Sequence, residues 1–161
     1  YISLSQEKIR SALSLEVNLL IDQLEVVYET GSTNNTIAGN TAKGYIILLA
    51  ESQTDGCGRR QKKWASPVGK NIYLSIKFHL KDSDNIHFIP LISAVSICKT
   101  LSVSGIADCQ IKWPNDIYLN GKKLGGILVE SRYNMHQGHS IIIGIGLNIN
   151  MTANNEIEQP W

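Results

Sequence analysis

The order of apolar and polar positions predicts strands in the first half of the chain. Residues 45–50 form a continuous apolar run, which is typical of a strand buried on both faces. Residues 71–78 alternate with the two-residue period of a half-buried strand, and residues 24–30 favour another. The polar residues 31–34 end that earlier strand and favour the start of a helix. Before these elements, Ser5 can cap a short lead-in helix.

A longer helix and four more strands are predicted in the second half. Apolar residues recur at helical spacing over 87–104 and Gly105 ends the pattern, so we expect an amphipathic helix packed on the core. Its expected core-facing positions are Phe88, Leu91, Ile92, Val95 and Cys98. Strand-like runs cover 109–113, 116–119, 123–131 and 139–149. The middle two are joined by a turn at Asn120-Gly121, as in a hairpin. Because strands dominate, we expect an α+β fold with a mixed, largely antiparallel sheet and helices packed on one face.

Composition and charge narrow the class of protein. The chain has 161 residues, of which 43% are hydrophobic, which suits one domain with a sizeable core. Its formal net charge is +1, so no global field attracts nucleic acid or an anionic membrane. The longest uninterrupted apolar runs are far shorter than the ~20 residues of a membrane helix, so we expect a soluble protein.

Cysteines and histidines point away from a disulfide framework and from a metal centre. The cysteines are Cys57, Cys98 and Cys109, an odd number without a C-x-x-C pair, which favours a reducing cytoplasm. The histidines are His79, His87, His136 and His139. Their spacing matches no H-x-x-x-H or H-E-x-x-H pattern, so a transition-metal site built by the protein is not expected. The chain opens on Tyr1 rather than Met, which suggests a fragment.

The segment 53–64 is the sharpest local anomaly in the sequence. It places two glycines and four cations between two predicted strands: Gly56, Gly58, Arg59, Arg60, Lys62 and Lys63. Glycines let backbone N–H groups approach an anion, and Arg or Lys can neutralise a phosphate or carboxylate. A solvated basic loop and a nucleic-acid contact are the alternatives for this segment alone. A dinucleotide fingerprint is excluded, because Gln61 occupies the third glycine position.

A second group of unusual residues lies at strand ends near the predicted hairpin. Pro114 cannot donate to a sheet ladder, so Asn115 and Asp116 beside it could face a ligand or Mg²⁺, with a plain turn as the alternative. Glycines interrupt two strand patterns at positions 125, 126, 144 and 146. Each alone could mark a bulge, but together they favour a sheet floor cleared for a flat ligand.

Five motifs stand in order along most of the chain. They are G-S-T-N at 31–34, Q-x-x-G-x-G-R-R at 53–60, K-W-P-N-D at 112–116, K-L-x-G-I-L-V-E at 123–130 and G-I-G-L-N at 144–148. In this order and spacing they resemble the biotin protein ligases, over roughly residues 24–150, and the set is far more specific than any one motif. The resemblance implies the catalytic domain of a biotin–[acetyl-CoA-carboxylase] ligase, an α+β fold related to the lipoate ligases.

The resemblance also implies a reaction. Such ligases join the carboxylate of biotin to the α-phosphate of ATP, and then pass the biotinyl group to a lysine of the biotin carboxyl carrier protein domain of acetyl-CoA carboxylase. Because both steps gather negative charge at one place, positioning and cationic stabilisation should provide most of the catalysis. By their places in the motifs, Lys123 and Arg59 are the expected catalytic residues. Mg²⁺ is the implied cofactor, bound through the ATP phosphates and with Asp116 as its candidate protein ligand.

Binding roles carry over from the family by position. The residues that match those binding biotin or biotinyl-AMP are Ser32, Thr33, Asn34, Gln53, Gly56, Cys57, Gly58, Arg59, Lys123, Gly126, Gly144 and Gly146. The residues that match nucleotide contacts are Trp64, Asn115, Asp116 and Asn148. Hydroxyl and amide side chains suit an uncharged ureido ring, because each buried polar group left unpaired costs about 1–3 kcal/mol.

The chain departs from the family loop, which commonly reads G-R-G-R-R-G. Cys57 replaces the first arginine and Gln61 replaces the last glycine. The adenylate is a reactive mixed anhydride that the loop must shield from water, so losing one cation predicts an active ligase with looser retention of this intermediate. A redox-sensitive thiol at Cys57 and a chance substitution are the alternatives.

The expected organisation is a lead-in helical segment at 1–23 followed by the catalytic domain at 24–161, without the small C-terminal β domain common in the family. Two other functions are compatible with the motifs: a non-catalytic biotin-binding or biotin-responsive regulatory module, and a related lipoate or octanoate transferase. A homodimer partner and the acceptor domain could each dock by strand addition at a sheet edge. DNA binding by this chain is not expected, because no recognition helix is seen.

Overall fold

A computed structural model describes residues 2–81, 85–135 and 138–151. Within them lie seven strands: β1 Ile21–Thr30, β2 Tyr45–Gln53, β3 Asn71–Leu80, β4 Gln110–Lys112, β5 Asp116–Leu119, β6 Lys122–Asn134 and β7 Gly138–Asn148. The same residues form four α-helices: α1 Gln6–Ala12, α2 Leu15–Leu20, α3 Thr33–Ala38 and α4 Ile89–Val103. Single 3₁₀ turns occupy Arg59–Gln61 and Ile86–Phe88. His136 and the expected end of the domain at 152–161 lie outside the described residues.

The strands form one sheet in the order β1-β2-β3-β7-β6-β5-β4. β1 runs parallel to β2, and every other neighbouring pair is antiparallel. This confirms the predicted mixed, largely antiparallel sheet of an α+β fold. The β5–β6 hairpin turns at Asn120 and Gly121, whose φ angles of 51° and 74° are those of the tight turn that an Asn-Gly pair favours.

The helices lie on both faces of the sheet, which differs from the expected packing on one face. Successive residues of a strand point to opposite faces. On β7, Ile142 packs with Ile37 of α3, whereas Ile141 and Ile143 pack with Ala94 of α4. The connections explain the difference. The parallel strands β1 and β2 need a crossover, which α3 provides on one face, while α4 links β3 to the far edge across the other.

The main helix forms where it was predicted, but most of the expected core face is exposed. Ala94 and Leu101 are its buried residues, and Ile97 and Cys98 also pack against the core. Four of the five predicted core positions face solvent instead: Phe88, Leu91, Ile92 and Val95. This segment is apolar nearly all round, so its periodicity could not show which side meets the sheet. The small side chain of Ala94 lets the helix approach the strands closely.

The stretch Ile86–Val103 is long and apolar enough to cross a membrane, by length and composition alone. Core helices of soluble proteins pass the same test, but they are mostly buried, whereas most of this stretch is not. Here the helix contacts β4, β5 and β6, so it is part of the sheet domain in this structure.

The lead-in segment is attached to the sheet. The Ser5 side chain accepts a hydrogen bond from the backbone N–H of Lys8, which confirms the predicted N-cap. Just before it, the backbone N–H of Leu4 donates to the carboxylate of Glu51, a buried residue of β2. β1 begins at Ile21, so the end of the expected lead-in segment at 1–23 belongs to the sheet.

β3 alternates as predicted, but its polar face is the buried one. Tyr73, Ser75 and Lys77 are almost completely buried beneath α3 and the loops around it. Their neighbours Ile72 and Leu74, on the opposite face, are only half-buried. Buried polar groups need partners, and on this strand those partners belong to the candidate site.

Candidate functional site

A cleft of about 890 Å³ opens on the face of the sheet that carries α3. This volume is typical of small-molecule sites, which measure about 300–1,000 Å³. Of the residues predicted to bind substrate or nucleotide, the cleft brings together Ser32, Thr33, Asn34, Gln53, Cys57, Gly58, Arg59, Trp64, Asn115, Asp116, Lys123, Gly126, Gly144, Gly146 and Asn148. Gly56 does not line it. A Cβ atom at Gly56 would lie 2.5 Å from the carbonyl oxygen of Trp64, so this glycine permits close backbone packing within the loop.

The cleft is strongly cationic. Its positive side chains are Arg59, Arg60, Lys62, Lys63, Lys112 and Lys123. Among the described lining residues Asp116 is the one carboxylate. The whole chain has a net charge of only +1, so this concentration is local and favours an anionic ligand in the cleft.

Lys123 is held at the centre of the cleft by an ion pair and an aromatic ring. Its Nζ lies 2.9 Å from Oδ1 of Asp116 and 5.5 Å from the centroid of the Trp64 ring. Its backbone carbonyl accepts a hydrogen bond of 3.2 Å from the side-chain amide of Asn148. These contacts fix both the backbone and the ammonium group of Lys123.

Arg59 is the loop cation that reaches the strands on the far side of the cleft. Its Nη1 donates to Oδ1 of Asn115 at 3.1 Å. The amide nitrogen of Asn115 donates in turn to the carbonyl of Ile127 at 2.8 Å, and the Ile127 N–H donates to the Asn115 carbonyl at 2.9 Å. These two bonds hold Asn115 against β6, and Asn115 in turn orients the guanidinium group of Arg59.

The start of α3 is held by Gln53 at the end of β2. Oε1 of Gln53 accepts from the backbone N–H of Thr33 at 2.8 Å and from its hydroxyl at 3.1 Å. Nε2 of Gln53 donates to Oγ of Ser66 at 2.9 Å. Both ends of the Gln53 amide thus have partners, and its orientation is set.

Asn34 lies between a carboxylate and a hydroxyl. Its Nδ2 donates to Oε2 of Glu130 at 2.7 Å, and its Oδ1 accepts from the hydroxyl of Ser75. A carboxylate only accepts, so Glu130 determines which end of the amide faces it. Oγ of Ser75 also lies 2.7 Å from the hydroxyl oxygen of Thr33. The first turn of α3 is therefore tied to β3 and β6 by buried polar contacts.

The glycine floor carries side chains of the protein itself. A Cβ at Gly146 would lie 2.5 Å from Cε2 of Trp64, and one at Gly126 would lie 3.1 Å from its Cζ3. The space over Gly144 is taken by the Asn34 amide. The flat group resting on Gly126 and Gly146 is thus the Trp64 indole, whose buried Nε1 has no hydrogen-bond partner among the described residues. A ligand would lie against this indole rather than directly on the two glycines.

Residues 25–148 match the biotin/lipoate A/B protein ligase family. The chain belongs to this family. It is 35% identical over 157 residues to the bifunctional ligase/repressor BirA of Bacillus spizizenii, covering 94% of this chain and 47% of that protein. It is 34% identical over 136 residues to the biotin–[acetyl-CoA-carboxylase] ligase of Mycobacterium tuberculosis, covering 79% of this chain and 49% of that protein. The chain therefore spans about half the length of these relatives.

Solved structures of the same family share the fold. A biotin protein ligase from Aquifex aeolicus in complex with biotin and ATP superposes with a TM-score of 0.73 at 31% identity, over 86% of this chain and 58% of that one. The Leishmania major enzyme in complex with biotinyl-5-AMP gives 0.72 at 26% identity, over 87% of this chain and 62% of that one.

The loop that departs from the family pattern is a small, ordered hairpin. Cys57 and Lys63 form an isolated antiparallel bridge, and the Gly58 N–H donates to the Lys62 carbonyl at 2.7 Å. At its tip, Arg60 and Gln61 have left-handed φ angles of 56° and 58°. Gln61 thus adopts the backbone conformation for which the family's glycine is suited.

The side chains of the cleft suit a magnesium ion that is bound mainly by the phosphates of a nucleotide rather than by the protein. The described residues contain no group of three or more His, Cys, Asp or Glu side chains that could hold a metal. Asp116 is already paired with Lys123 at 2.9 Å. A divalent ion would therefore take most of its ligands from the nucleotide and water, as Mg²⁺ commonly does.

Three polar residues of the site were missed by sequence reasoning: Glu130, Ser66 and Ser75. Glu130 interrupts an apolar pattern after residues 127–129, whereas Ser75 fits the alternation of β3 and gives no local signal. In neither case does the local sequence indicate which partner the residue meets. Glu130 and Asn34 are 96 positions apart, and only the sheet brings them together.

Proposed function

We propose that this chain attaches biotin to a lysine of a biotin carboxyl carrier protein domain, through biotinyl-5'-AMP and at the expense of ATP. The observation that carries the proposal is the convergence of the family's motif residues in one cationic cleft. Relatives of known structure include ligases in complex with biotin and ATP and with biotinyl-5-AMP, and their ligands support the same assignment here.

In the first step a carboxylate oxygen of biotin attacks the α-phosphorus of ATP, and the bond from that phosphorus to the pyrophosphate oxygen breaks. Two anions must approach each other, so cations fixed in advance lower the barrier. Lys123 is fixed by Asp116 at 2.9 Å and is our candidate for bridging the carboxylate and the α-phosphate. Arg59, oriented by Asn115 at 3.1 Å, is placed to neutralise the phosphates from the loop side.

In the second step the amine of the acceptor lysine attacks the biotinyl carbonyl carbon, AMP leaves, and the amine loses a proton. The loop residues Cys57, Gly58 and Arg59 line the cleft and would shield the anhydride until the acceptor arrives. Mg²⁺, when bound with ATP, would neutralise phosphate charge and assist the departure of pyrophosphate. Ser32, Thr33 and Asn34 would pair with the ureido group.

The test is biotin-dependent exchange of labelled pyrophosphate into ATP, because it reports the first step without an acceptor. Lys123→Ala is compared with Lys122→Ala, which removes the exposed lysine next to it. We expect Lys123→Ala to lower the exchange rate by about 100-fold or more, as for loss of one stabilising donor, and Lys122→Ala to leave it within about threefold. Equal losses in the two variants would contradict the role of Lys123.

The same assay separates the other two functions. The family includes lipoate ligases. Exchange of pyrophosphate into ATP that depends on lipoate rather than biotin would identify that activity. A relative named a bifunctional ligase/repressor supports a regulatory module as the other candidate. Biotin binding without any exchange would favour that module.

We further propose that the acceptor is the carrier domain of acetyl-CoA carboxylase, that the chain acts in the cytoplasm, and that it can pair as a homodimer. In the described part of the chain β1 is an edge strand of the sheet, and we propose its outer edge as the place where the acceptor or a second subunit adds a strand. Transfer of labelled biotin to a purified carrier domain, with chromatography of the chain at several concentrations, tests these points.

A further inference from the structure

Lys77 is a charged residue in the interior that the proposed chemistry does not use. Its side chain is only 3% exposed, on the buried face of β3. β3 pairs it with Ile46 of β2 on one side and Ile142 of β7 on the other, and both of these residues are in the apolar cluster beneath α3. The aliphatic part of the Lys77 side chain therefore lies among apolar residues, and its nitrogen reaches polar backbone groups beyond them.

The nitrogen of Lys77 binds the end of α3. It donates to the carbonyl of Ala38 at 2.7 Å and to the carbonyl of Asn40. The last carbonyls of a helix have no partner inside the helix, so the bond to Ala38 satisfies one of them, and the bond to Asn40 holds the chain just after the helix. Burial, and after it repulsion from Arg132, lowers the pKa of Lys77. A buried cation is retained in a fold only where such partners compensate its lost hydration.

One strand face thus holds both ends of α3. Ser75, two positions before Lys77, binds Asn34 and Thr33 at the start of the helix, while Lys77 binds its end. α3 has only six residues, too few to be stable without tertiary contacts. Its position in the cleft therefore depends on what anchors it.

We propose that Lys77 is a positioning residue for the substrate cleft: by anchoring the end of α3 it fixes the placement of Ser32, Thr33 and Asn34. The identity of the ligand, biotin, rests on the proposed function. The anchoring of α3 by Lys77 rests only on the contacts described above. Lys77 does not line the cleft, and it acts through α3.

The kinetic test compares Lys77→Met, which keeps an unbranched stem but no donor, with Lys77→Arg, which keeps charge and donors. Lys43→Met makes the same change at an exposed lysine in the α3–β2 loop and is the control. We expect Lys77→Met to raise the KM for biotin by about tenfold or more, because two half-buried carbonyls, at the end of α3 and just after it, lose their donor. The KM for ATP and kcat should stay within about threefold, and Lys77→Arg should recover most of the biotin effect.

Three outcomes would overturn the proposal. They are an unchanged KM for biotin, an equal rise in the KM values for biotin and ATP, and a Lys77→Arg variant no better than Lys77→Met. If Lys77→Met does not fold, Lys77→Gln, which retains an amide donor, replaces it in the same comparison.

A readout without ligand keeps this proposal separate from the ligase assignment. In Lys77→Met, hydrogen exchange of the backbone amides of residues 33–40 should speed up by about tenfold or more, while β6 and β7 exchange as in the wild type. Unchanged protection of residues 33–40 would refute the anchoring even if the ligase reaction is present. Absence of biotin-dependent exchange in the wild type, with faster amide exchange in the variant, would refute the ligase assignment and leave the anchoring supported.

Discussion

Two residues of the loop at 53–64 depart from the family pattern in different ways. Gln61 stands where the family commonly has glycine and adopts the left-handed conformation with a φ of 58°. That conformation costs a non-glycine residue roughly 1–2 kcal/mol, and the hairpin bonds around Lys62 and Trp64 maintain it. Cys57 is exposed and its thiol contacts only the neighbouring carbonyl of Gly58 among the described hydrogen bonds. The change at Gln61 thus affects the backbone, whereas the change at Cys57 affects charge.

Restoring the family's arginine should improve retention of the intermediate. Cys57 lines the cleft beside Gly58 and Arg59, so a guanidinium group in its place adds a cation to the cleft in which we propose that biotinyl-AMP binds. We expect Cys57→Arg to slow the release of labelled biotinyl-AMP by about three- to tenfold, as for one partly exposed charge-assisted hydrogen bond. Cys57→Ser, which adds no charge, is the control and should release it at the wild-type rate. Equal release from all three proteins would show that the missing arginine does not limit retention.

At the scale of elements, the sequence predicted where strands and helices lie better than which side of them is buried. The continuous run in β2 and the Asn-Gly turn between β5 and β6 are local signals, and both were confirmed. An alternating strand has two faces, and its period does not tell which one another element covers. On β3 the covered face is the polar one, because α3 needs partners for its backbone and its first side chains.

In the candidate site, too, local sequence patterns indicated which residues take part but not which contacts orient them. The motifs are short, ordered patterns, and the structure brings the residues they singled out, except Gly56, together in one cleft. The contacts that orient them join distant segments, such as Asn34 to Glu130 and Arg59 to Asn115. No local pattern contains such pairs.

Substitutions on the two sides of helix α4 test which side is buried. Leu101 is buried against the core, whereas Ile92, a predicted core position, is 59% exposed. We expect Leu101→Ala to lower the free energy of unfolding by about 2–4 kcal/mol, since it leaves a cavity. Ile92→Gln, on the opposite side, should change it by less than about 0.5 kcal/mol. Urea unfolding of both variants measures this, and a larger loss at Ile92 would mean that the predicted face is the buried one.

At the scale of the whole molecule, charge is distributed very unevenly. The chain is nearly neutral, yet six cations and one carboxylate meet in the described lining of a single cleft. The interior behind that cleft also contains ionisable groups, Tyr73 and Lys77, on one face of β3. Burial makes the global stability depend on the protonation of both.

Tyr73 should make the protein lose stability in alkali. Burial is the main cause that raises the pKa of Tyr73 to about 12, and its hydroxyl donates to the carbonyl of Pro67 at 3.0 Å. The folded chain keeps this proton between about pH 10 and 12 while the unfolded chain releases it, so its stabilising contribution is complete below pH 10 and is lost as the pH rises to 12. The loss should reach about 2–3 kcal/mol.

The variant Tyr73→Phe, compared with Tyr28→Phe at an exposed tyrosine, isolates this effect in urea unfolding at pH 9 to 12. Tyr73→Phe should be less stable at pH 9 but show a flatter decline, and Tyr28→Phe should follow the wild type. The lowered pKa of Lys77 acts in the opposite direction in alkali, but it is common to all three proteins. Parallel curves for the wild type and Tyr73→Phe would contradict the prediction.

The indole of Trp64, resting on bare backbone at Gly126 and Gly146, gives the cleft an optical signal of its own. Its N–H is shielded from water, which shifts tryptophan fluorescence to shorter wavelengths, whereas Trp113 at the same cleft is 81% exposed and emits as a hydrated indole. A ligand that moves or stacks on Trp64 changes the blue part of the emission, and Trp113 reports on the mouth of the cleft. Filling of the cleft can thus be followed by fluorescence titration of a Trp161→Phe variant, which removes the third tryptophan of the chain.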